Sequence, residues 1–221
     1  TLHTLFPYTT LFRSWRKVAL KHVDNADGNG LNTYSQETKN GFEGVLNWLN
    51  QWACARSFGL GSKLPWDPQF LVESLSDSTI YMAYYTVAHL LHGDIFGKTP
   101  GLLKDIRPEQ MTDEVWDYIF ARREVGEDVL QSKIALEGLE TMRREFEYWY
   151  PLDLRVSGKD LIPNHLTFFI YIHIALFPPE YWPRGVRANG HLTLNGEKMS
   201  KSTGNFMTLD EMRSEEHTSE L

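Results

Sequence analysis

The chain has 221 residues, 42% of them hydrophobic and 23% charged, which allows one domain or one and a half with a core of ordinary size. Its net charge of −7 argues against a role as a primary nucleic-acid grip, because phosphate binding rests on Lys and Arg. The single cysteine, Cys54, excludes a disulfide framework and fits a reducing compartment, and no apolar run approaches the roughly 20 residues of a membrane span.

The two ends are expected to be non-native. Residues 5–14 read LFPYTTLFRS and residues 213–221 read RSEEHTSEL; both are in-frame translations of a common pair of sequencing adapters. Codons for residues 11–14 (CTCTTCCGATCT) are the reverse complement of those for residues 213–216 (AGATCGGAAGAG). Residues 1–14 and 213–221 are therefore set aside, and fold and function are read from 15–212.

Residues 24–30 (DNADGNG) form a turn-rich loop. A helix is predicted from about 33 to 54, with Phe42, Val45, Leu46 and Leu49 at helical spacing. Residues 59–68 read as loop, 70–75 as a short buried strand, and 76–91 as a helix with Asp77 near its positive end. Residues 93–108 are irregular; 112–123 and 128–150 read as helices, the second with a broad apolar face. A strand over 152–156 breaks at Ser157-Gly158, and a strongly apolar helix follows over 161–177, with Pro163 tolerated in its first turn. Residues 186–194 read as a strand or hairpin arm, with Asn195-Gly196 as a turn signal, before a polar loop over 198–205. Strands alternating with helices predict an α/β fold with a parallel sheet.

Chemistry concentrates in three places. Lys198-Met199-Ser200-Lys201-Ser202, followed by Thr203-Gly204-Asn205, gathers two lysines and three hydroxyls after a glycine turn. Such a loop suits a polyphosphate, because lysine is a compact, mobile point charge that can follow charge onto a leaving group; the plain alternative is a solvated basic turn. Ser157-Gly158-Lys159-Asp160 lies where a strand gives way to a helix, the place where open α/β sheets bind ligands. The plain alternative there is a turn with Asp160 capping the helix. His165, on the same helix start, is by itself a core histidine. Residues 25–36 imitate a calcium loop but carry Asn25 first and Gln36 last, and His89 and His92 lack a clear third ligand; no metal site is assigned. Trp48, Trp52, Trp116 and Trp149 are read as packing residues.

These residues carry a resemblance. Ala188-Asn189-Gly190-His191, running into residues 197–205 (EKMSKSTGN), resembles the signature loop of class I aminoacyl-tRNA synthetases. Residues 64–91 (LPWDPQFLVESLSDSTIYMAYYTVAHLL), 33–64 and 152–165 (LDLRVSGKDLIPNH) resemble the eukaryotic-type cytosolic leucyl-tRNA synthetase family, and the likeness covers essentially all of 15–212.

The resemblance implies a Rossmann-type catalytic domain that forms leucyl-adenylate from leucine and ATP, with Mg2+ accompanying the ATP, and passes leucine to tRNA(Leu) in the cytoplasm, without a membrane. It implies that residues 15–32 leave a missing upstream editing insertion. Residues 33–212 then form the C-terminal half of the catalytic domain, with a helical insertion over about 94–150. A His-x-Gly-His element typical of the class does not occur here, so the chain is expected to hold half an active site and to be inactive alone.

Lys201 and Lys198 take the phosphate-contacting catalytic roles by this resemblance; Gly158, Asp160, Ser200, Ser202 and His191 contact ATP; Ser78, Tyr81 and His165 line the leucine pocket. Thr79 and Ile80 depart from the bacterial pattern, which leaves that wall of the pocket open. The alternatives are a class I synthetase for valine, isoleucine or methionine, separated by residues 64–91, and a synthetase-derived binding module without catalysis, against which the intact lysines speak.

Overall fold

The computed structural model describes residues 10–49 and 54–218. Its elements are helix α1 (Thr10–Asp24), α2 (Gln36–Trp48), strands β1 (Ala55–Arg56), β2 (Lys63–Leu64) and β3 (Asp67–Val72), then α3 (Ser74–Asp77) and α4 (Tyr81–Leu91). There follow α5 (Asp113–Ile119), α6 (Glu127–Leu130), α7 (Leu136–Trp149), β4 (Arg155–Gly158), α8 (Thr167–Leu176), β5 (Val186–Asn189), β6 (Thr193–Leu194), β7 (Glu197–Lys198) and α9 (Leu209–Thr218).

The predicted parallel pairing is present: β4 and β5 run side by side, with Arg155 opposite Val186 and Gly158 opposite Asn189. Asn32 extends this pair, since its N–H donates to Arg184 O at 2.8 Å and its carbonyl accepts from Val186 N at 2.9 Å. The loop before it is built for that approach. Asn25 Oδ1 accepts from Gly30 N at 2.6 Å, and a Cβ on Gly30 would stand 2.3 Å from the carbonyl oxygen of His22.

One core joins α1, α2 and α8 to the parallel pair, through Val23, Leu31, Phe42, Leu46, Leu166, Phe169, Ile170 and Val186. A second joins α4 to α5, α6 and α7, through Val87, Leu90, Val115, Ile119, Val129, Leu139 and Met142. A smaller aromatic group, Ala83, Phe146, Tyr150 and Phe177, sits at the start of α4, the end of α7 and the end of α8. Among the described residues no helix is long and apolar enough to cross a membrane.

Several boundaries differ from expectation. The predicted buried strand over 70–75 is instead β3, half-exposed and antiparallel to both β1 and β2. The helix predicted over 76–91 is broken at residues 78–80, because two hydroxyls compete with the helix ladder. Thr79 Oγ1 donates to Ser76 O at 2.7 Å and Ser78 Oγ to Leu75 O at 3.3 Å. Asp77 consequently closes α3 instead of opening a long helix, and Glu73 caps α3, accepting from the N–H groups of Leu75 and Ser76 at 2.9 and 3.0 Å.

The helix predicted over 128–150 is two helices. Lys133 stands at φ 61°, a left-handed conformation that stops α6, and Ser132 Oγ accepts from Ile134 N at 3.3 Å before α7 begins. The helix predicted over 112–123 ends at Ile119, with Ala121 at φ 57°. The helix predicted over 33–54 is α2, capped by Ser35, whose Oγ accepts from Thr38 N at 3.1 Å; residues 50–53, and Trp52 with them, lie outside the described residues. Trp48 and Trp149 are 57% and 60% exposed and are not core residues. Trp116 does pack, at 5.4 Å from Phe120 in a stacked pair. Residues 1–9 and 219–221 of the predicted non-native ends lie outside the described residues.

The second core histidine carries a pH prediction. His173 is fully buried, with Nδ1 2.9 Å from Phe169 O and Nε2 2.9 Å from the Tyr150 hydroxyl. A carbonyl can only accept, so Nδ1–H donates to it and neutral Nε2 accepts from Tyr150 O–H. Burial pushes the His173 pKa down to about 3 and pushes the Tyr150 hydroxyl up. Folded His173 thus refuses a proton that the unfolded chain takes up near pH 6.5. Its contribution to stability is complete above about pH 6.5 and is lost as pH falls from there toward 3, by up to about 1.4 kcal/mol per pH unit. His22 and His165, also lowered by burial, act with the same sign. Denaturant unfolding at several pH values between 7 and 5 should show this slope, reduced by about one proton in His173→Gln. An unchanged slope in the variant would refute the assignment.

Candidate active site

The site is assembled around the carboxyl ends of β4 and β5. Because the two strands are parallel and in register, the Ser157–Asp160 turn and the Asn189–His191 segment emerge side by side. A carboxyl-terminal edge of this kind is where open α/β sheets receive ligands. Gly158 leaves the strand end open: a Cβ there would lie 2.6 Å from Asp160 Oδ1, the tip of an exposed side chain that would have to turn aside. Asp160 lies inside the 3-10 turn Lys159–Leu161, and among the described residues no side chain caps the helical turn that follows, so the plain reading of Asp160 as a helix cap does not hold. Asp160 is exposed, and its carboxylate stays available to a ligand.

The chain then passes from that turn into one π-helical turn, Ile162–Leu166, before α8. Thr167 Oγ1 donates to Ile162 O at 2.6 Å across this widened turn. Local π geometry of this sort often marks functional positions, because it re-aims a side chain within a helix. Here the side chain is His165, 4% exposed, whose Nδ1 lies 3.0 Å from Ser78 Oγ. The other nitrogen, Nε2, is buried and has no hydrogen-bond partner among the described residues. Burial is the main cause that lowers the His165 pKa, and the Arg155 cation adds to it.

Tyr81, the first residue of α4, joins the same neighbourhood: its hydroxyl accepts from Arg155 Nη2 at 2.8 Å, and its ring lies 5.1 Å from that of Tyr85. Two residues predicted for one pocket, Ser78 and His165, are thus in contact, and Tyr81 reaches the β4 strand that carries Gly158. Ser78 and Tyr81 do not share one helix face as their spacing suggests, because the break at residues 78–80 separates them.

Two contributors were missed in the sequence. Arg155 drew no notice because it is a lone cation at the start of a strand. Glu73 falls within the span read as a buried strand and was not singled out, yet it is 6% exposed, ion-paired with Arg56 and fixes the start of α3.

The lysine-bearing loop follows directly. The Asn195-Gly196 turn closes the β6–β7 hairpin as predicted, with both residues at positive φ, 54° and 82°, the arrangement of a type I′ turn. Ser200 N donates to Asn205 O at 2.8 Å, closing the next loop on itself. The Asn205 amide donates toward the carbonyls of Leu194, Glu197 and Lys198 at 3.3 to 3.4 Å, tying loop to hairpin. Inside it Ser200 Oγ and Ser202 Oγ are 2.9 Å apart, and Gly204 takes φ 74°. Lys198, Lys201, Ser202 and His191 are exposed, and neither lysine is ion-paired among the described residues. A preformed backbone carrying two cations without ion-pair partners among the described residues, beside hydroxyls that bond one another and the loop backbone, can receive phosphate groups.

Comparison with known proteins finds relatives along most of the chain. The family model for class I tRNA synthetases (M) matches residues 130–221. Cytoplasmic leucine–tRNA ligase of Neurospora crassa is 68% identical over 200 residues, covering 90% of this chain and 18% of that protein. The Saccharomyces cerevisiae counterpart is 58% identical over 198 residues (90% and 17%), and that of Pongo abelii 54% over 199 residues (89% and 16%). The chain therefore spans 16–18% of the length of these relatives. Among solved structures, methionyl-tRNA synthetase of Mycobacterium tuberculosis bound by methionyl-adenylate aligns with a TM-score of 0.50 at 17% identity, over 89% of this chain and 28% of that one, a likeness of fold. The chain is a homologue, over about nine-tenths of its residues, of the cytosolic leucyl-tRNA synthetases of class I.

Proposed function

We propose that the chain supplies part of the amino-acid-activating site of a cytoplasmic leucine–tRNA ligase. The observation that carries this reading is the meeting of Ser78 with His165 one helical turn beyond the Gly158–Asp160 turn, on the strand pair that leads into the lysine loop. In the reaction a leucine carboxylate oxygen attacks the α-phosphorus of ATP; the bond to the bridging oxygen breaks and pyrophosphate leaves. A hydroxyl of the terminal ribose of tRNA(Leu) then takes the leucyl group and releases AMP.

Each side chain has a role suited to its setting. Gly158 lets the nucleoside approach the backbone, and Asp160 accepts hydrogen bonds from its sugar. His191, Ser200 and Ser202 contact the phosphates, as does Lys198. Lys201 stabilises charge on the departing pyrophosphate, and Ser78, Tyr81 and His165 line the leucine side. Mg2+ would arrive with the ATP phosphates, to which it binds; the loop offers cations and hydroxyls, which suit the phosphates, and no residue here is assigned to the metal. In this reading residues 94–150 form a helical insertion, and residues 15–32 enter from a preceding domain.

Leucine-dependent exchange of pyrophosphate into ATP, measured on the full-length gene product, tests the proposal. Exchange driven by leucine and much more weakly by valine, isoleucine or methionine is the expected result. Exchange driven best by one of those others, or none with any amino acid, would overturn it. The uncommitted Lys198 and Lys201 favour this reading over a non-catalytic binding module, which has no use for them.

A further inference from the structure

We propose that Arg155 is a positioning residue of the amino-acid pocket, holding Tyr81 in place through its hydroxyl and ring. The inference rests on the functional reading above and extends it to a residue outside the motifs that define the site.

Arg155 opens β4, and its backbone N–H donates to Gly185 O at 2.8 Å, so its Cα is fixed by the parallel pair. Its Nη2 donates to the Tyr81 hydroxyl at 2.8 Å, and its guanidinium carbon lies 5.7 Å from the Tyr81 ring centre. One planar cation therefore bonds the hydroxyl and stands near the ring, a geometry that lysine cannot reproduce. No carboxylate pairs with Arg155 among the described residues, and its side chain is bonded there to the Tyr81 hydroxyl. Its Nε is buried without a hydrogen-bond partner among the described residues, as is His165 Nε2.

Tyr81 needs such a clamp. It is the first residue of α4, directly after the break at residues 78–80, and Ile80 makes no side-chain capping bond there. Beyond its contact with the Tyr85 ring, the Tyr81 side chain depends on this bond for its placement, and without it the ring would be freer to turn about χ1. A pocket that separates amino acids by a methylene works within a factor of roughly 10 to 200, so a small displacement of one wall is expected to be felt.

Because Arg155 acts through Tyr81, its loss should appear in leucine binding and depend on the tyrosine hydroxyl. In the full-length protein, Arg155→Ala should raise the leucine KM in pyrophosphate exchange by about ten- to a hundredfold, the span for loss of a charged hydrogen bond, with kcat changing less than about threefold. In a Tyr81→Phe background the same substitution should raise KM less than about fivefold, since only the ring contact remains. Arg155→Lys, which keeps the charge and β4 pairing, should recover part of the loss.

A second readout needs no activity. In protein labelled with 3-fluorotyrosine, the Tyr81 resonance, identified by its disappearance in Tyr81→Phe, should shift or broaden in Arg155→Ala and in Arg155→Lys. An equal KM penalty in both backgrounds would mean that Arg155 acts on the substrate itself and would overturn the positioning role. So would an unmoved Tyr81 resonance, or a fall in kcat at constant KM. Absence of any leucine-dependent exchange in the unmodified protein would instead sink the functional reading, with the fluorine spectrum still deciding whether Arg155 holds Tyr81.

Discussion

Lys201→Ala in the full-length protein is expected to slow formation of leucyl-adenylate by about 10²–10³-fold, a loss of roughly 2.7–4 kcal/mol, while leaving leucine binding nearly unchanged. Negative charge grows on pyrophosphate as the leucine carboxylate attacks the α-phosphorus. A cation that meets this charge late in the reaction lowers the barrier without stabilising bound ATP equally. Lys201 suits that role because it begins the short 3-10 turn Lys201–Thr203, is exposed, and hangs on a loop closed by Ser200 and Asn205. Lys198 ends β7, inside the hairpin, where its backbone is paired with Thr193. Its alanine variant should lose less, since a side chain on paired backbone follows a moving charge less freely. Arginine at position 201 should restore only part of the rate, because its planar fork lacks the compact geometry of an ammonium. Single-turnover formation of adenylate, with ATP and leucine varied separately, divides rate from affinity. A Lys201→Ala protein with its single-turnover rate intact and only a raised need for leucine would show the role to be wrong.

What was legible in the sequence shares one property: each feature is set by neighbours close along the chain. Asn195-Gly196 made the β6–β7 turn because a type I′ turn needs two residues at positive φ, and these two tolerate it. The passage from strand to helix at Ser157-Gly158 was legible for the same reason, though β4 runs on through Gly158 where the strand had been expected to end earlier. Cores formed where helical spacing placed Phe42, Val45 and Leu46 together.

The misreadings have a different origin. Residues 131–135 contain neither Gly nor Pro, yet the chain turns at Lys133, because packing of Val129, Ile134 and Leu139 into one core outweighs a modest backbone cost. The break at residues 78–80 comes from hydroxyls that can either face solvent or bond the backbone, a choice that periodicity does not express. Arg155 meets Tyr81 across 74 positions of chain, so no local pattern announces the contact. Ser78 and His165, 87 positions apart, were placed in one pocket only through family resemblance, and the hydrogen bond between them is independent of it.

The largest stability effect is expected at Phe146, whose replacement by alanine should cost about 3–5 kcal/mol. The side chain is fully buried. Its ring lies 4.6 Å from Tyr150 in a stacked pair, 5.2 Å from Phe120, 5.3 Å from Phe177 and 5.4 Å from Tyr181. Four aromatic neighbours, one at the end of the same helix and three from the ends of α5 and α8 and the turn after it, cannot all close on the vacated space, so truncation adds a cavity to the lost transfer energy. Domains of this size are stable by only about 5–15 kcal/mol, so the loss is a large share of the whole. Tyr148, two residues away on α7 and 78% exposed, should tolerate alanine within about 0.5 kcal/mol. Guanidinium unfolding of both variants gives the comparison, and a Phe146→Ala cost below about 1 kcal/mol would show that this cluster does not bear the packing assigned to it. The effect should also reach the candidate site. Ala83 belongs to the same cluster and Ile80 packs against it, and these two residues flank Tyr81 at the start of α4. Loosening the aromatic group removes the floor beneath that helix end, so Phe146→Ala should weaken leucine binding in the full-length protein at temperatures where the fold itself is still intact.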